Sequence, residues 1–310
     1  MAPKKSLWDF ISEAKLLVKA HPRHFHNLSL TFLFPLSLYL LLSPTISHLF
    51  NYFFTTNSTT PLPPLSTNPT VFLYSLLLLL LSNCGVITIT YSVFHFFHDQ
   101  PVNLQSTIKS IPTSFLPLFA TTIVSQLISF FISLFYGLLL LLLVHGAKLL
   151  HLTLLPHSSP YIIGFLIALP LIVVQTYLEV NWTLVNVIVV VESCWGMEPL
   201  RRSGRLIKGM KGVALSSVFI YGFFPVILTW NYFFAKRGAY TESWVAAVLN
   251  WVVTLTGSYA LSMLMLSKIT VTTLLYIYCK ANNHVEITED FGKDYFSLPS
   301  HDGNFSQVVV

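Results

Sequence analysis

Four polar side chains stand inside the fourth of six long apolar runs: Gln175, Glu179, Trp182 and Asn186. They are separated by four, three and four residues, so on one helix they share a face. A carboxylate in the hydrocarbon core of a bilayer costs on the order of 2.5 kcal/mol or more, so Glu179 requires a partner, the bundle interior or water. Lys268 in the sixth run has the opposite charge. Glu179 lies 13 residues before Glu192, at the end of its run, and Lys268 lies 12 residues before Lys280, at the end of its own. Two parallel helices would hold them at similar depth. The expectation is a buried Glu179–Lys268 pair, or both groups lining one hydrated cavity. Gln175, Glu179, Asn186 and Lys268 would then form a ligand or ion pathway; the alternative is a pair that only fixes helix packing.

A second constellation follows the fourth run, in the segment from Val191 to Gly212. Glu198 and Pro199 can open a short helix, with proline in the first turn and a carboxylate at the positive end of the dipole. Leu200 and Ile207 would lie against the membrane. Arg201, Arg202, Arg205, Lys208 and Lys211 would reach lipid phosphates, or cap the C-terminal ends of neighbouring helices. Gly209 and Gly212 would end the helix and release the chain into the fifth run.

Histidines form a third set. His21, His24 and His26 precede the first run, and His95, His98 and Asp99 end the second, all on one side of the membrane. Membrane di-iron oxygenases carry boxes with adjacent histidines, and this chain has no adjacent pair, so no metal ligands are assigned. No cofactor motif, Walker loop or GxSxG elbow occurs. The three cysteines, Cys84, Cys194 and Cys279, are isolated and make no disulfide framework.

The elements that must position these residues are membrane spans. Only 9% of the 310 residues are charged and 54% are hydrophobic. Mean hydropathy is +0.68. A soluble domain carries roughly 25% charged residues. The apolar runs also exceed what a soluble core needs. The net charge of +5 does not imply nucleic acid, because the basic residues sit in short loops between apolar runs.

The fold class read from this pattern is all-α: a polytopic bundle of about six transmembrane helices with an N-terminal amphipathic helix. Residues 1–27 are an N-terminal segment. Its helix, Lys4 to Ala20, sets Leu7, Phe10, Ile11, Ala14, Leu17 and Val18 opposite most of its charges. It either lies on the membrane surface or packs on the ends of the bundle. Residues 28–279 hold spans at about 28–50, 70–97, 113–147, 159–192, 213–235 and 243–279. The third run is long enough that it could hold two spans. Pro170 and Pro225 are kink candidates. Residues 280–310 form a polar tail expected to be disordered.

Thirteen of the 17 lysines and arginines fall on the side of the N-terminus. The expected orientation therefore has both termini in the cytoplasm, in an endoplasmic reticulum or plasma membrane. Asn57, in an Asn-Ser-Thr acceptor triplet, would face the lumen or exterior.

A span ending in Glu192, then Gly196, then Pro-Leu-Arg201-Arg202-Ser203 and a closing Lys208-Gly209 resembles a motif of multispanning proteins. These include the membrane domain attached to bacterial glycerophosphodiester phosphodiesterases. The whole chain resembles a plant family of transmembrane proteins of unknown function. The resemblance implies the fold and no catalysis, since no phosphodiesterase domain is attached. The leading expectation is a non-enzymatic protein that needs no cofactor and organises membrane lipids, anionic ones above all, or protein partners on the cytoplasmic face. A transporter or channel using Glu179 and Lys268 is one alternative, and a lipid-modifying enzyme using the histidines is another.

Overall fold

The computed structural model describes residues 5–42, 69–98, 100, 102–149, 160–238 and 244–291. Asn57 and Asp99 lie outside the described residues, as does the chain from 292 onwards. Among the described residues the chain is helical throughout, with no strand. The elements are α1 (Leu7–Ala20), the first span α2 (Pro22–Leu42), α3 (Pro69–Phe97), α4 (Leu104–Lys109), α5 (Ile111–Leu149), α6 (Pro160–Trp182), α7 (Val185–Glu192), α8 (Met197–Leu206), α9 (Lys211–Gly238) and α10 (Trp244–Phe291). Six segments among them are long and apolar enough to cross a membrane. The chain is a membrane-embedded, multi-pass protein.

The third run, counted as one span, is one unbroken helix, α5, of 39 residues. One expectation about length changes. α10 continues past Lys280 to Phe291, so the chain expected to begin a disordered tail starts as helix. At 1.5 Å per residue its 48 residues far exceed a hydrocarbon core of about 30 Å.

α2, α3 and α10 pack closely against one another. Small residues permit it. A Cβ added at Gly85 would lie 3.1 Å from Leu33, and one at Gly257 would lie 3.3 Å from Leu41. Ser37 donates to the Ser258 carbonyl at 2.7 Å, across the same seam. Residues Ser29–Leu33 of α2 widen into a π-helical turn where the span crosses α3. The remaining helices are packed mainly toward one end. On α5 the buried side chains among the described residues are Ser114, Leu118 and Thr121, all in its first third. On α9 they are Ala214, Ser217 and Tyr221, again near the start.

That end, here called the basic end, also receives α1. Ser6 precedes the helix, and the Asp9 carboxylate accepts its backbone N–H at 2.7 Å and its hydroxyl at 2.9 Å. These bonds hold Asp9 below the usual carboxylate range. Leu7, Phe10, Ile11 and Ala14 are buried where α1 packs on α3, α9 and α10, in one cluster with Ile188, Ala214, Leu275 and Tyr276. Of the two positions expected for this helix, its apolar face takes the one on the bundle. Lys5 pairs with Glu13, donates to the Tyr278 hydroxyl and stands over that ring. Burial works against its charge, but the bonds to Glu13 and Tyr278 outweigh it and keep the ammonium above its ordinary value.

Candidate functional site

The polar centre of the molecule is Glu192, the last residue of α7. Its side chain is only 10% exposed. The buried Tyr276 hydroxyl donates to Oε1 at 2.6 Å, and Lys280 Nζ donates to the same oxygen at 3.0 Å. Arg202 Nε forms an ion pair with Oε2 at 2.8 Å. One carboxylate therefore ties α7, α8 and α10 together. Tyr276 and Lys280 are four residues apart on α10, and Lys280 also donates to the Tyr276 oxygen at 3.1 Å.

The chain then turns sharply. Ser193 has φ of 53° and Gly196 has φ of 78°, both in the left-handed region. The Gly196 N–H donates to Thr121 Oγ1 on α5 at 3.0 Å. From this turn α8 packs on α5, α6, α7 and α10.

Ser203, fully buried on α8, closes a break in the fourth span. α6 ends at Trp182 and α7 begins at Val185, which leaves backbone groups at the gap without helical partners. The Ser203 hydroxyl donates to the Asn181 carbonyl at 2.6 Å and accepts the Leu184 N–H at 3.3 Å. The motif residues Glu192, Gly196, Arg202 and Ser203 thus each have a partner that holds the helix ends in place.

The other face of α8 is basic. Arg201, Arg205, Lys208 and Lys211 are exposed, with Gly209 beside them. Arg202 is turned inward to Glu192 and leaves the expected row of phosphate contacts. Leu200 and Ile207, expected against the membrane, are buried in the bundle. Trp195 ahead of the helix and Met197 at its first position are exposed, at 69% and 51%.

The expected Glu179–Lys268 pair is not formed. Both residues are exposed, and the ion pairs found among the described residues involve Glu13 and Glu192. Two features separate them. α6 packs on α9 and α8, whereas α10 packs on α9, α3 and α1, so α9 stands between. Along α9, Lys211 lies 6.0 Å from the Tyr177 ring, while Tyr221 bonds Ser267 at 2.7 Å. Those levels are ten residues apart, about 15 Å of helix. Glu179 sits near the first level and Lys268 near the second. The shared face is interrupted as well, because the break at Thr183–Leu184 falls between Trp182 and Asn186. Gln175 instead donates to Ser133 on α5 at 3.1 Å, and Asn186 is exposed.

The histidines are engaged locally. His24 bonds Ser92 at 2.9 Å, His21 stacks on Phe96 at 4.0 Å, and His98 bonds the Phe94 carbonyl. Among the described residues no three of His, Cys, Asp and Glu gather in a group that could hold a metal ion. The cysteines are free.

Tyr276 and Lys280 are site residues that no motif in the sequence marks. Their four-residue spacing is the local signal, but nothing in the α10 sequence points across to Glu192.

Six apolar helices, with a buried carboxylate tying α7, α8 and α10 together at one end, define an all-α polytopic membrane protein with a fixed basic face at that end. The chain belongs to the family described as Domain of unknown function (DUF8558), whose model matches residues 66–301, more than half of its length. No curated protein and no solved structure matches it.

Proposed function

We propose that this protein is a non-enzymatic membrane protein that binds and organises anionic lipids through the outer face of α8, with the basic end and both termini in the cytoplasm. The observation that carries the reading is the division of labour on α8. Arg202 and Ser203 lock the helix to the bundle, while Arg201 and Arg205, with Lys208 and Lys211 just beyond, stay exposed. Exposed Trp195 at the same turn suits the headgroup boundary. Each basic residue near an anionic leaflet contributes about 1 kcal/mol, and the attraction fades with salt.

The test is thermal unfolding of detergent-purified protein with added phosphatidylglycerol or phosphatidylcholine. Phosphatidylglycerol is expected to stabilise the wild type more, and the difference should shrink as salt rises. Arg201→Gln/Arg205→Gln/Lys208→Gln should fold normally and lose most of that difference. An unchanged difference in the triple variant rejects the reading.

A second reading, a transporter or channel, rests on Lys268, an exposed cation within a span. It expects chloride efflux from reconstituted vesicles that is lost in Lys268→Met at unchanged folded yield. Equal efflux from protein-free vesicles and from wild type removes it.

A further inference from the structure

The outer face of α1 is a second exposed surface at the basic end, apart from α8. Its apolar side is buried, yet Trp8 and Leu16 on the opposite side are 70% and 60% exposed. Lys15 and Lys19 are exposed between and beyond them, and Arg23 is exposed one turn further. Glu13 is paired with Lys5, and Asp9, exposed near the start of the helix, caps Ser6. The outer stripe is therefore aromatic, aliphatic and net basic, with three cations against one carboxylate.

Its position adds the second argument. Near one end of α1, Lys5 and Phe10 meet Tyr278, the latter ring to ring at 5.3 Å. At the other end His21 stacks on Phe96. Tyr278 and Phe96 both lie at the ends of spans, Trp251–Asn282 and Leu76–Phe97. Both ends of α1 are thus held level with the ends of spans, so the helix, about 21 Å long by its 14 residues, lies across the bundle rather than along it. A helix lying in the interfacial plane, with one face on protein and a Trp/Leu/Lys face turned outward, has the composition of a membrane-surface helix.

We propose that the stripe Trp8, Ser12, Lys15, Leu16 and Lys19, continued by Arg23, seats in the anionic headgroup layer beside the bundle. Trp8 and Leu16 enter the acyl boundary, and the three cations meet lipid phosphates. This surface is separate from α8, and the proposal stands or falls independently of the role of that helix.

The experiment uses the full chain in nanodiscs of phosphatidylcholine with phosphatidylserine, made with ordinary or with brominated acyl chains. The emission of Trp8 is read as the difference between wild type and Trp8→Phe. That substitution removes no buried contact, and Leu16→Trp in the same background supplies a second reporter. Most of the Trp8 emission is expected to vanish in brominated discs and to resist aqueous iodide, and the indole introduced by Leu16→Trp should behave alike. Quenching should weaken in Lys15→Gln/Lys19→Gln/Arg23→Gln, or when phosphatidylserine is left out. Emission that survives bromine and is quenched by iodide overturns the proposal in favour of water or a protein partner. Quenching indifferent to phosphatidylserine overturns the assignment to anionic headgroups.

Discussion

Replacing Glu192 with alanine is expected to lower stability by about 3 kcal/mol, more than the loss of either cation that binds it. The variant removes the acceptor of the buried Tyr276 hydroxyl and the counter-charge of Arg202 and Lys280 together. The side chains of Arg202 and Lys280 are 40% and 38% exposed, so both can recover hydration, which keeps the cost at the low end for a broken buried pair. Tyr276 has no such recourse, since the residue is fully buried. Lys280→Met or Arg202→Met leaves the carboxylate one cation and should cost about 1 kcal/mol each. Thermal unfolding of the three variants in one detergent ranks them. Glu192→Ala falling no further than the single-cation variants would show that the carboxylate is not the centre of the junction.

Ser203→Ala is the second large effect, expected at about 3 kcal/mol. Alanine fits the space and retains helix propensity, so the loss isolates the hydroxyl. Without it the Asn181 carbonyl and the Leu184 N–H are left unpaired in a dry region, and each unsatisfied group costs about 1–3 kcal/mol. Ser262→Ala is the matched control. That serine is equally buried, but its hydroxyl only returns to the Tyr259 carbonyl on its own helix, at 2.8 Å. Denaturation of the two variants side by side should show a small change for Ser262 and a large one for Ser203. Equal shifts would mean that the gap between α6 and α7 finds other partners.

These two residues mark how far the sequence could be read. The spans and the single direction of the charge bias were legible because long apolar runs and loop lysines act locally. The motif around Glu192 was legible as a pattern but not as a mechanism. Its partners Tyr276 and Lys280 lie more than eighty residues away, and composition carries no information about which spans touch. The Glu179–Lys268 pairing failed for a related reason. Counting back from each span end assumed two straight helices side by side, but α9 separates them. The fourth span also breaks at Thr183–Leu184, where no glycine or proline marks it. Pro170, the residue that does advertise a break, lies within α6. A buried serine from another helix makes the gap tolerable, which no local rule anticipates.

The uneven packing has a mechanical consequence. α2, α3 and α10 grip one another along their length, whereas α5 and α9 have their buried contacts, among the described residues, close to the basic end. Helices buried mainly near one end, with few side-chain bonds such as Gln175–Ser133 farther along, can change tilt at little cost in protein contacts. In a thinner or thicker bilayer the accommodation falls on those two shafts. The Glu192 junction, lying at their pivot, keeps its geometry while the far ends move.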